Sequence, residues 1–268
     1  MKLFFWNLNN NDNSALIAAA LKDNDVDVAA FAEHRAVDFG ELCNCLNDRY
    51  RVVEAIDGSG KTILLLKRCI SSKGVFSQGR YLLATIQLDA QRRYNIVSVH
   101  FSDQRNDPHG ANRLNEAQSL VASLRQQEEE QGCRSNVIIG DFNANPFDDA
   151  LVWATGLNAT LYRGVATRLR TKMNEGNEYP LMYNPTIEFL SEKENNCGSF
   201  YLASGATTLY WYCLDQVIVS ADLADAIEDV RYLRHIGDRS LLADVAPDRR
   251  VSDHLPLLVT IGSEVADG

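Results

Sequence analysis

Short apolar segments recur along the whole chain, and most of them are four to eight residues long and rich in β-branched or aromatic residues. Segments of this length and composition, bounded by turn-forming residues, are typical of buried β-strands. The pattern therefore predicts strands at eight places: KLFFW (2–6), VDVAAFA (26–32), TILLLK (62–67), YLLATIQL (81–88), YNIVSVHF (94–101), NVIIG (136–140), LDQVIVS (214–220) and LPLLVTI (255–261).

Helical patterns are fewer than strand patterns. Ser14 stands where an N-cap would precede the apolar segment ALIAAALK, and residues 111–130 carry apolar side chains at helical spacing with charge on the other side. The stretch 163–208 is irregular, and so long a loop is usually functional or partly structured. Many strands with few helices between them favour an α/β fold of two packed sheets flanked by helices over a doubly wound parallel sheet.

Length and composition limit the number of domains. The chain has 268 residues, 46% of them hydrophobic, which suits one domain with a large core, and it shows no internal repeat or linker. We predict a single domain over 1–262, followed by a short C-terminal tail at 263–268. The longest apolar runs fall far below the roughly 20 residues of a membrane-spanning helix, so no membrane span is expected.

Charge and cysteine content narrow the function classes. The formal net charge is −10, with 26 basic and 36 acidic residues, which counts against a purely electrostatic grip on a polyanion. A local basic groove, or a cation held by carboxylates, stays compatible with that charge. The six cysteines form no C-x-x-C pair, and the N-terminus lacks a secretory apolar region, so we expect reduced thiols in a cytoplasmic protein.

The segment VIIGDFNANPFDD, residues 137–149, ends a predicted buried strand with an aspartate and an asparagine two positions apart. In extended backbone, positions i and i+2 share a face, so Asp141 and Asn143 would project together from the end of the strand. Aspartate and asparagine are also common turn residues that bond nearby backbone, and Gly140 is a permissive joint. The segment alone leaves both interpretations open.

Other polar residues stand at the ends of the apolar segments in the same way. Each has an ordinary structural explanation: a strand end that meets water, a hydrogen-bonded core histidine, or a cap for the following turn. Strand ends that converge on one rim are nevertheless where a rigid scaffold can assemble a site. The residues in question are Asn7, Glu33, His100, Asp215, Asp253 and His254.

Taken in this order, these residues resemble the endonuclease/exonuclease/phosphatase superfamily, which includes the pancreatic-type deoxyribonucleases and apurinic-site endonucleases. The resemblance spans nearly the whole chain, from FFWNL to SDHLPLLVTI, and its specific parts are GDFNANP and SDHLPL. Two departures blur the subfamily: Ala32 precedes the glutamate where the family often has glutamine, and the glycine often found after the first asparagine is missing. The resemblance implies a four-layer α/β/β/α sandwich of two mainly antiparallel sheets.

The same resemblance implies a hydrolytic site in which water attacks a phosphate ester. Glu33 would be the principal ligand of Mg²⁺, with Mn²⁺ as a substitute ion, and Asn7 and Asp253 would lie nearby. Asp141 would hold and activate the water. Asn143 would fix the phosphate or the base, His100 and His254 would stabilise the transition state as imidazolium groups, and Asp215 would orient His254. Whether Asp141 or His254 is the true base stays open.

Local charge suggests the substrate. Several cations and one aromatic residue lie in the predicted loops, as would suit a nucleic-acid backbone with more than one phosphate. These candidate substrate-binding residues are Arg105, Arg168, Arg170, Lys172, Trp211, Arg249 and Arg250. The first interpretation is a Mg²⁺-dependent nuclease that cuts nucleic acid, with DNA preferred.

Two other interpretations stay open beside it. An acidic protein without an extended basic face also suits a phosphatase or phosphodiesterase acting on a small phosphorylated molecule. A catalytically silent binding subunit is disfavoured, because every charged position that the chemistry needs is filled. A weakly basic nuclease could also depend on a protein partner that recruits or restrains it, and the resemblance to bacterial members of unassigned role leaves open an effector held in a multi-protein bacterial system.

Overall fold

A computed structural model of the chain provides the coordinates. It describes residues 1–54, 60–191, 193, 197–204 and 208–262. The predicted C-terminal tail at 263–268 lies outside the described residues.

The strands of the described chain are numbered here in chain order. The first nine are β1 Lys2–Asn7, β2 Val28–Ala32, β3 Tyr50–Val53, β4 Thr62–Lys67, β5 Ser71–Gln78, β6 Tyr81–Gln87, β7 Arg93–His100, β8 Asn136–Asp141 and β9 Ala159–Thr160. The others are β10 Thr171–Asn174, β11 Asn177–Pro180, β12 Met182–Tyr183, β13 Phe200–Leu202, β14 Tyr210–Tyr212, β15 Asp215–Ser220, β16 Ile227–Tyr232, β17 His235–Ile236, β18 Arg239–Ser240, β19 Leu242–Ala243, β20 Ala246–Pro247 and β21 Leu257–Ile261.

The helices are fewer, and only α3 is long. They are α1 Ser14–Asp23, α2 Phe39–Cys45, α3 Ala111–Gln131, α4 Asp149–Val152, α5 Arg163–Leu169 and α6 Thr186–Phe189, with a 3₁₀ helix at Ala221–Ala226. Gly110 precedes α3, and Gly132 ends it in the left-handed conformation, for which glycine is favoured at the C-terminal end of a helix.

Thirteen of the strands form two large sheets. The first sheet has the order β16-β21-β1-β2-β4-β3, and the second sheet has the order β5-β6-β7-β8-β15-β12-β9. Three neighbouring pairs are parallel, namely β1 with β2, β7 with β8 and β9 with β12, and the other pairs in these sheets are antiparallel. The prediction of two mainly antiparallel sheets is confirmed.

The two sheets pack face to face, and helices cover their outer faces. Successive side chains of β8 alternate between two cores: Val137 and Ile139 pack with the first sheet, whereas Ile138 packs with α3. On the outside of the first sheet, α1 and α2 bury Ile17 and Leu42 in the same core as its strands. The layers are therefore helix, sheet, sheet and helix, which confirms the predicted four-layer sandwich.

All eight predicted strand segments contain strands, but several elements were missed. The missed strands β3 and β5 have at most half of their positions buried, so the apolar run that marked the other strands is absent from their sequences. The predicted N-cap at Ser14 is wrong by one position, because α1 begins at Ser14 and Asn13 occupies the cap. In the irregular stretch 163–208, the described residues form α5, β10 to β13 and α6.

All six cysteines are free thiols, as the sequence predicts. Among the residues that the structure describes, none of the helices combines the length and apolar character needed to cross a bilayer.

Candidate active site

Three strands of the second sheet place a histidine and two aspartates side by side at one end. His100 lies opposite Asp141 in the parallel pair of β7 and β8, and Asp215 lies opposite Asp141 in the antiparallel pair of β15 and β8. Residues in register on neighbouring strands share a face, and here it is the face that Ile139 and Val217 direct toward the first sheet. The row therefore faces the junction of the two sheets.

The first sheet brings its own polar residues to the same junction. Asn7 ends β1 and pairs in parallel register with Ala32, so Glu33 follows directly beside it. Nδ2 of Asn7 donates to Oδ2 of Asp141 at 3.0 Å and lies 3.4 Å from Oε1 of Glu33. Nε2 of His100 lies 3.5 Å from the same Glu33 oxygen. These contacts join the two sheets through the site itself.

Backbone at Glu33 and Asn143 departs from ordinary strand geometry. Glu33 has φ +46° and Asn143 has φ +48°, both in the left-handed region that non-glycine residues rarely adopt. Such conformations persist only where the surrounding structure holds them, and they concentrate at functional sites. Both residues line the cleft described below.

The predicted shared face of Asp141 and Asn143 is wrong in detail. The strand ends at Asp141, and the left-handed turn at Asn143 brings its backbone N–H to Oδ1 of Asp141 at 2.8 Å. The Asn143 side chain donates to the carbonyl of Phe101 at 3.0 Å. The segment thus makes the turn that its composition suggested, and it also places both side chains at the cleft. Both oxygens of Asp141 accept hydrogen bonds, which fixes the orientation of its carboxylate.

Gly140 allows β7 and β8 to approach closely just below this row. A Cβ atom on Gly140 would lie 2.2 Å from the carbonyl oxygen and 2.7 Å from the nitrogen of Val99, distances that real side chains do not tolerate. The glycine in the GDFN segment is therefore required by the pairing that sets His100 beside Asp141.

His254 reaches the site from the turn that precedes β21. Its Nδ1 lies 2.7 Å from Oδ2 of Asp215, and its Nε2 lies 4.0 Å from Oδ2 of Asp141. The indole of Trp6 donates to the carbonyl of His254, and the hydroxyl of Ser252 accepts from its backbone N–H, so the turn is anchored to the first strand. Burial alone would lower the pKa of His254, but the Asp215 carboxylate outweighs burial and raises the pKa to about 10.

These residues surround a cleft of about 440 Å³. Glu33, His100, Asp141, Asn143, Asp253 and His254 line it. Asn7 and Asp215 lie behind this lining and hold Asp141 and His254 in place. The structure therefore brings together all eight residues that the sequence proposed for catalysis and metal binding.

Two sets of side chains could hold a divalent ion. Asp141, Asp215 and His254 offer ligand atoms within 4.8 Å of one another. The carboxylates of Glu33 and Asp141 flank the Asn7 side chain, whose Nδ2 lies near both, and carboxylate oxygens are ligands that suit a hard cation. Because the bond between Asp215 and His254 already occupies one atom of each, Glu33 and its neighbours fit an ion better. Asp253 lines the same cleft and adds a further carboxylate.

Unlike the predicted catalytic and metal-binding residues, the predicted substrate-binding residues do not lie together in one cleft. Arg105 lines the catalytic cleft, and Arg249 lines an adjoining cavity of about 350 Å³ that shares Asp253 with it. Arg250 is ion-paired with Asp248 at 2.8 Å. Trp211 does not line the cleft, since it packs edge-on against Tyr201 with ring centroids 5.4 Å apart.

The cluster at 168–172 also lies outside the cleft. Arg170 lines a cavity beside the C-terminal half of α3, and Lys172 lines an apolar groove beside α5. Arg168 lies on α5 itself, on an exposed turn. The three residues therefore do not join the cleft, because α5 and β10 carry them to another side of the molecule.

Sequence reasoning missed several residues that line the cleft. Arg80 lies at the tip of the hairpin between β5 and β6, beside His100, whose backbone N–H donates to its carbonyl. Its guanidinium lies 3.5 Å from Glu116 of α3, a contact that holds it at the edge of the cleft. Phe200 packs on the His254 ring with centroids 5.0 Å apart. Arg80 follows Gly79, a turn-forming residue that predicts a hairpin at this place, and this signal could have identified Arg80 as a residue at a strand end. Phe200 lies in a stretch whose sequence shows no such pattern.

A four-layer sandwich with these acids, histidines and asparagine at one rim defines a DNase I-like phosphoesterase. The sequence profile of the Endonuclease/Exonuclease/phosphatase family matches residues 4–254, so the chain belongs to that family. Its members are metal-dependent phosphoesterases, and this protein is one of them. No curated protein matches the chain.

Solved structures share the fold at low identity. Truncated Caenorhabditis elegans TDP2 is 13% identical, with a TM-score of 0.57, over 98% of this chain and 97% of that chain. The endonuclease domain of TRAS1, a telomere-specific non-LTR retrotransposon, is 15% identical, with a TM-score of 0.56, over 97% of each chain. The human Nocturnin catalytic domain, with bound sulfate anion, is 14% identical, with a TM-score of 0.59, over 97% and 93%.

Proposed function

We propose that this protein is a Mg²⁺-dependent nuclease that hydrolyses phosphodiester bonds in nucleic acid, with DNA as its preferred substrate. One observation carries the proposal: the in-register row of His100, Asp141 and Asp215 meets Glu33 and Asn7 of the other sheet across a single open cleft. This set contains a proton acceptor, hydrogen-bond donors and oxygen ligands within reach of one phosphate group.

The side chains divide the work as follows. Asp141, held by donors on both oxygens, accepts a proton from the attacking water. His254 is kept as imidazolium by Asp215, so its Nε2 donates to a phosphate oxygen as negative charge builds in the transition state. His100 directs its Nε2 toward Glu33 and Asp141 and is a second donor. Asn143 orients the phosphate beside Asp141.

Glu33, with Asn7 and Asp253 nearby, would hold the divalent ion. When bound, Mg²⁺ or Mn²⁺ neutralises phosphate charge and stabilises the leaving oxygen. Replacing Glu33 with alanine should abolish turnover and weaken binding of Mn²⁺ measured by calorimetry, while the thermal melt changes little because the residue is partly exposed. Unchanged ion binding together with full activity at low Mg²⁺ would assign the ion to other residues, such as Asp141, Asp215 and His254.

The preference for nucleic acid has support from the cleft and from the relatives. Arg80 and Arg105 line the cleft on the His100 side and offer guanidinium groups for phosphates that flank the scissile one. Among the structures with this fold, D. rerio TDP2 is known in a complex with a single-strand DNA product. That protein is 14% identical, so its substrate supports the proposal only as an analogy.

A phosphatase or phosphodiesterase of small molecules is the second candidate. The cations at 168–172 lie away from the cleft, which leaves a weaker phosphate track than the sequence suggested. The net charge of −10 also favours a small phosphorylated substrate over a polyanion.

One assay separates the two candidates. The purified protein is incubated with plasmid DNA, RNA and a panel of phosphomonoesters, each with Mg²⁺, Mn²⁺ or EDTA. Nicked plasmid that disappears in EDTA supports the nuclease, and release of orthophosphate alone supports the phosphatase.

The remaining expectations belong to the same proposal. One domain over 1–262 is supported by the pairing of β1 with β21, which joins the two ends of that range in one sheet. A cytoplasmic location is supported by six cysteines that are all free. The third expectation is a partner that recruits or restrains the protein in a multi-protein bacterial system.

A further inference from the structure

A cavity of about 350 Å³ adjoins the catalytic cleft, and Leu202 and Asp253 line both. One wall is β13 with the residues that follow it, and the other is β20 with the turn that precedes β21. Leu202 and Pro247 give the lining apolar surface, Tyr201 gives it an aromatic ring, and Arg249 gives it a guanidinium group. The volume is at the lower end of the roughly 300–1,000 Å³ of small-ligand pockets, so the cavity suits one nucleotide-sized group.

The elements that form the cavity are bonded to the turn that carries His254. Phe200 of β13 pairs with His254 in an isolated antiparallel β-bridge. Just before β13, the carbonyl of Ser199 accepts a hydrogen bond from the backbone N–H of Leu255 at 2.8 Å. The position of the cavity relative to the catalytic residues is therefore fixed by backbone contacts.

A buried aspartate holds the turn that presents Arg249. The carboxylate of Asp248 accepts hydrogen bonds from the side chains of Arg239 and Arg250, at 3.1 and 2.8 Å, and its carbonyl accepts from the backbone N–H of Ser252 at 3.0 Å. Arg249 is exposed, and among the described residues no carboxylate lies within ion-pairing distance of it. Its guanidinium is therefore available to a ligand in the cavity.

The aromatic wall is held in place in the same way. The half-buried ring of Tyr201 packs against Tyr210 and Trp211, with ring centroids 6.0 and 5.4 Å apart. An aromatic ring on which a base can stack, beside a cation that can bind the strand's phosphates, is the combination that proteins use for single-stranded nucleic acid.

The cavity and Arg80 lie at opposite ends of the cleft. In the strand order β6-β7-β8-β15, His100 ends β7 and Asp141 ends β8. Asp215, the partner of His254, begins β15, whereas Arg80 lies beyond β7 at the hairpin of β5 and β6. Three strand spacings, roughly 14 Å, separate β6 from β15, so a substrate that meets both ends is longer than one phosphate group.

We propose, on the basis of the nuclease function proposed above, that this cavity is the subsite for the nucleotide next to the scissile phosphate on the His254 side. Arg249 binds the far phosphate of that nucleotide, and Tyr201 stacks on its base. Among the described residues, the one carboxylate of the lining is that of Asp253, which belongs to the set proposed for the divalent ion. The substrate is then a strand that continues on both sides of the bond that is cut.

The test uses thymidine tetramers in which only the central linkage is an ordinary phosphodiester. Each outer linkage is either a phosphorothioate, which is charged and resists hydrolysis, or a methylphosphonate, which is neutral. Cleavage at the centre in Mg²⁺ is followed by chromatography. For wild type, we expect a neutral linkage on either side to lower kcat/KM at least about tenfold, because each end of the cleft offers guanidinium groups to a charged linkage.

Variants then locate the contact. Arg249→Ala should lower kcat/KM for the fully charged tetramer at least about tenfold, and it should respond to a neutral linkage on one side only. Arg249→Gln, which keeps the aliphatic stem, should behave in the same way. Arg231→Ala is the matched control, since this exposed arginine of β16 lines neither the cleft nor the cavity, and it should match wild type on every tetramer.

The base contact is tested with an abasic residue in place of one outer thymidine. Tyr201→Ala should lower kcat/KM for the ordinary tetramer at least about fivefold. It should have no effect on the tetramer that lacks the base on the Arg249 side, and Tyr201→Phe should match wild type on both. Thermal melts of all variants check that the fold is kept.

Two results would overturn the subsite. One is an Arg249→Ala variant that still responds to neutral linkages on both sides, and the other is wild type that cuts charged and neutral tetramers equally fast. Both leave the nuclease proposal standing, because the tetramer is cut. Failure of wild type to cut any tetramer with Mg²⁺ or Mn²⁺ would instead refute the nuclease proposal, and the subsite with it.

Discussion

Asp141 is the residue on which most contacts of the site converge, since donors from β1, from the following turn and from two histidines surround its carboxylate. We expect Asp141→Asn to keep the shape but to remove the proton acceptor. Turnover should fall on the order of a hundredfold to ten-thousandfold, the range for losing general-base assistance. Substrate binding should persist or tighten, because one negative charge near the phosphate is gone.

A single-turnover assay beside a thermal melt measures both consequences. If Asp141 served only the turn, the variant would melt early and yet react at the wild-type rate per folded molecule. That outcome would remove Asp141 from the chemistry.

The pair of His254 and Asp215 predicts a dependence of stability on pH. A histidine whose pKa is raised to about 10 in the folded state stabilises the fold fully below its unfolded pKa of about 6.5 and loses that contribution as pH rises through about 10. We expect metal-free wild type to lose free energy of unfolding between about pH 7 and about pH 10, relative to Asp215→Asn, in which burial leaves His254 neutral.

Urea unfolding in EDTA at several pH values measures the free energy of unfolding of wild type and of Asp215→Asn. Titrating groups that both proteins share cancel in the difference between the two free energies. Parallel curves for wild type and variant would show that the pair is not ionised in the folded protein.

At the residue scale, the sequence predicted which side chains meet but not all of those that line the cleft. Asn7, Glu33, His100 and Asp141 were found because each ends or follows a buried strand, and strand ends are set by local pattern. Arg168 and Lys172 were misplaced because their position depends on the path of α5, which packs through tertiary contacts that no local pattern encodes.

Among the elements, β7 and β8 approach each other closely at Gly140. We expect Gly140→Ala to force the strands apart, because the new Cβ would overlap the backbone of Val99. The cost should be about 1–3 kcal/mol or more of unfolding free energy, as for overpacked cores. Turnover should also fall, since His100 and Asp141 would lose their register.

Gly164→Ala is the matched control for this change. Gly164 lies in α5 with no heavy atom within 4 Å of the added Cβ, so alanine there should be neutral or slightly stabilising. Chemical denaturation of both variants measures the difference, and equal effects would mean that the close approach at Gly140 is not needed.

The elements themselves were predictable where burial was continuous. β4, β6 and β8 are buried at nearly every position, so their sequences are mostly apolar. β5 is a polar edge strand, and its pairing with β6 comes from the hairpin and not from its own apolar content. The layer order followed from the family resemblance, because periodicity alone does not order strands within a sheet.

On the scale of the whole molecule, the protein is acidic, but the cations that line the cleft and its adjoining cavity are expected to contact the substrate and the cations elsewhere are not. We expect alanine at Arg80 and Arg105 to lower the salt dependence of DNA binding by about one unit of slope for each lost phosphate contact. Alanine at Arg168, Arg170 and Lys172 together should leave the slope unchanged, because these residues lie away from the cleft.

Binding titrations at several salt concentrations decide between the two groups of cations. A slope that falls with the second group and not with the first would mean that DNA crosses the α5 side of the protein, and the cleft would then receive a smaller phosphoester.

The pairing of β1 with β21 has a consequence for the time at which activity arises. β1 lies between β2 and β21 in the first sheet, and Trp6 anchors a residue 248 positions further along the chain. A ribosome adds roughly 5–20 residues per second, so β1 waits on the order of tens of seconds for its second neighbour. Until residues 252–261 have emerged, the cleft has neither His254 nor the strand that supports it. An interrupted or nascent chain therefore lacks a complete catalytic site, and phosphoester hydrolysis begins only with the finished protein.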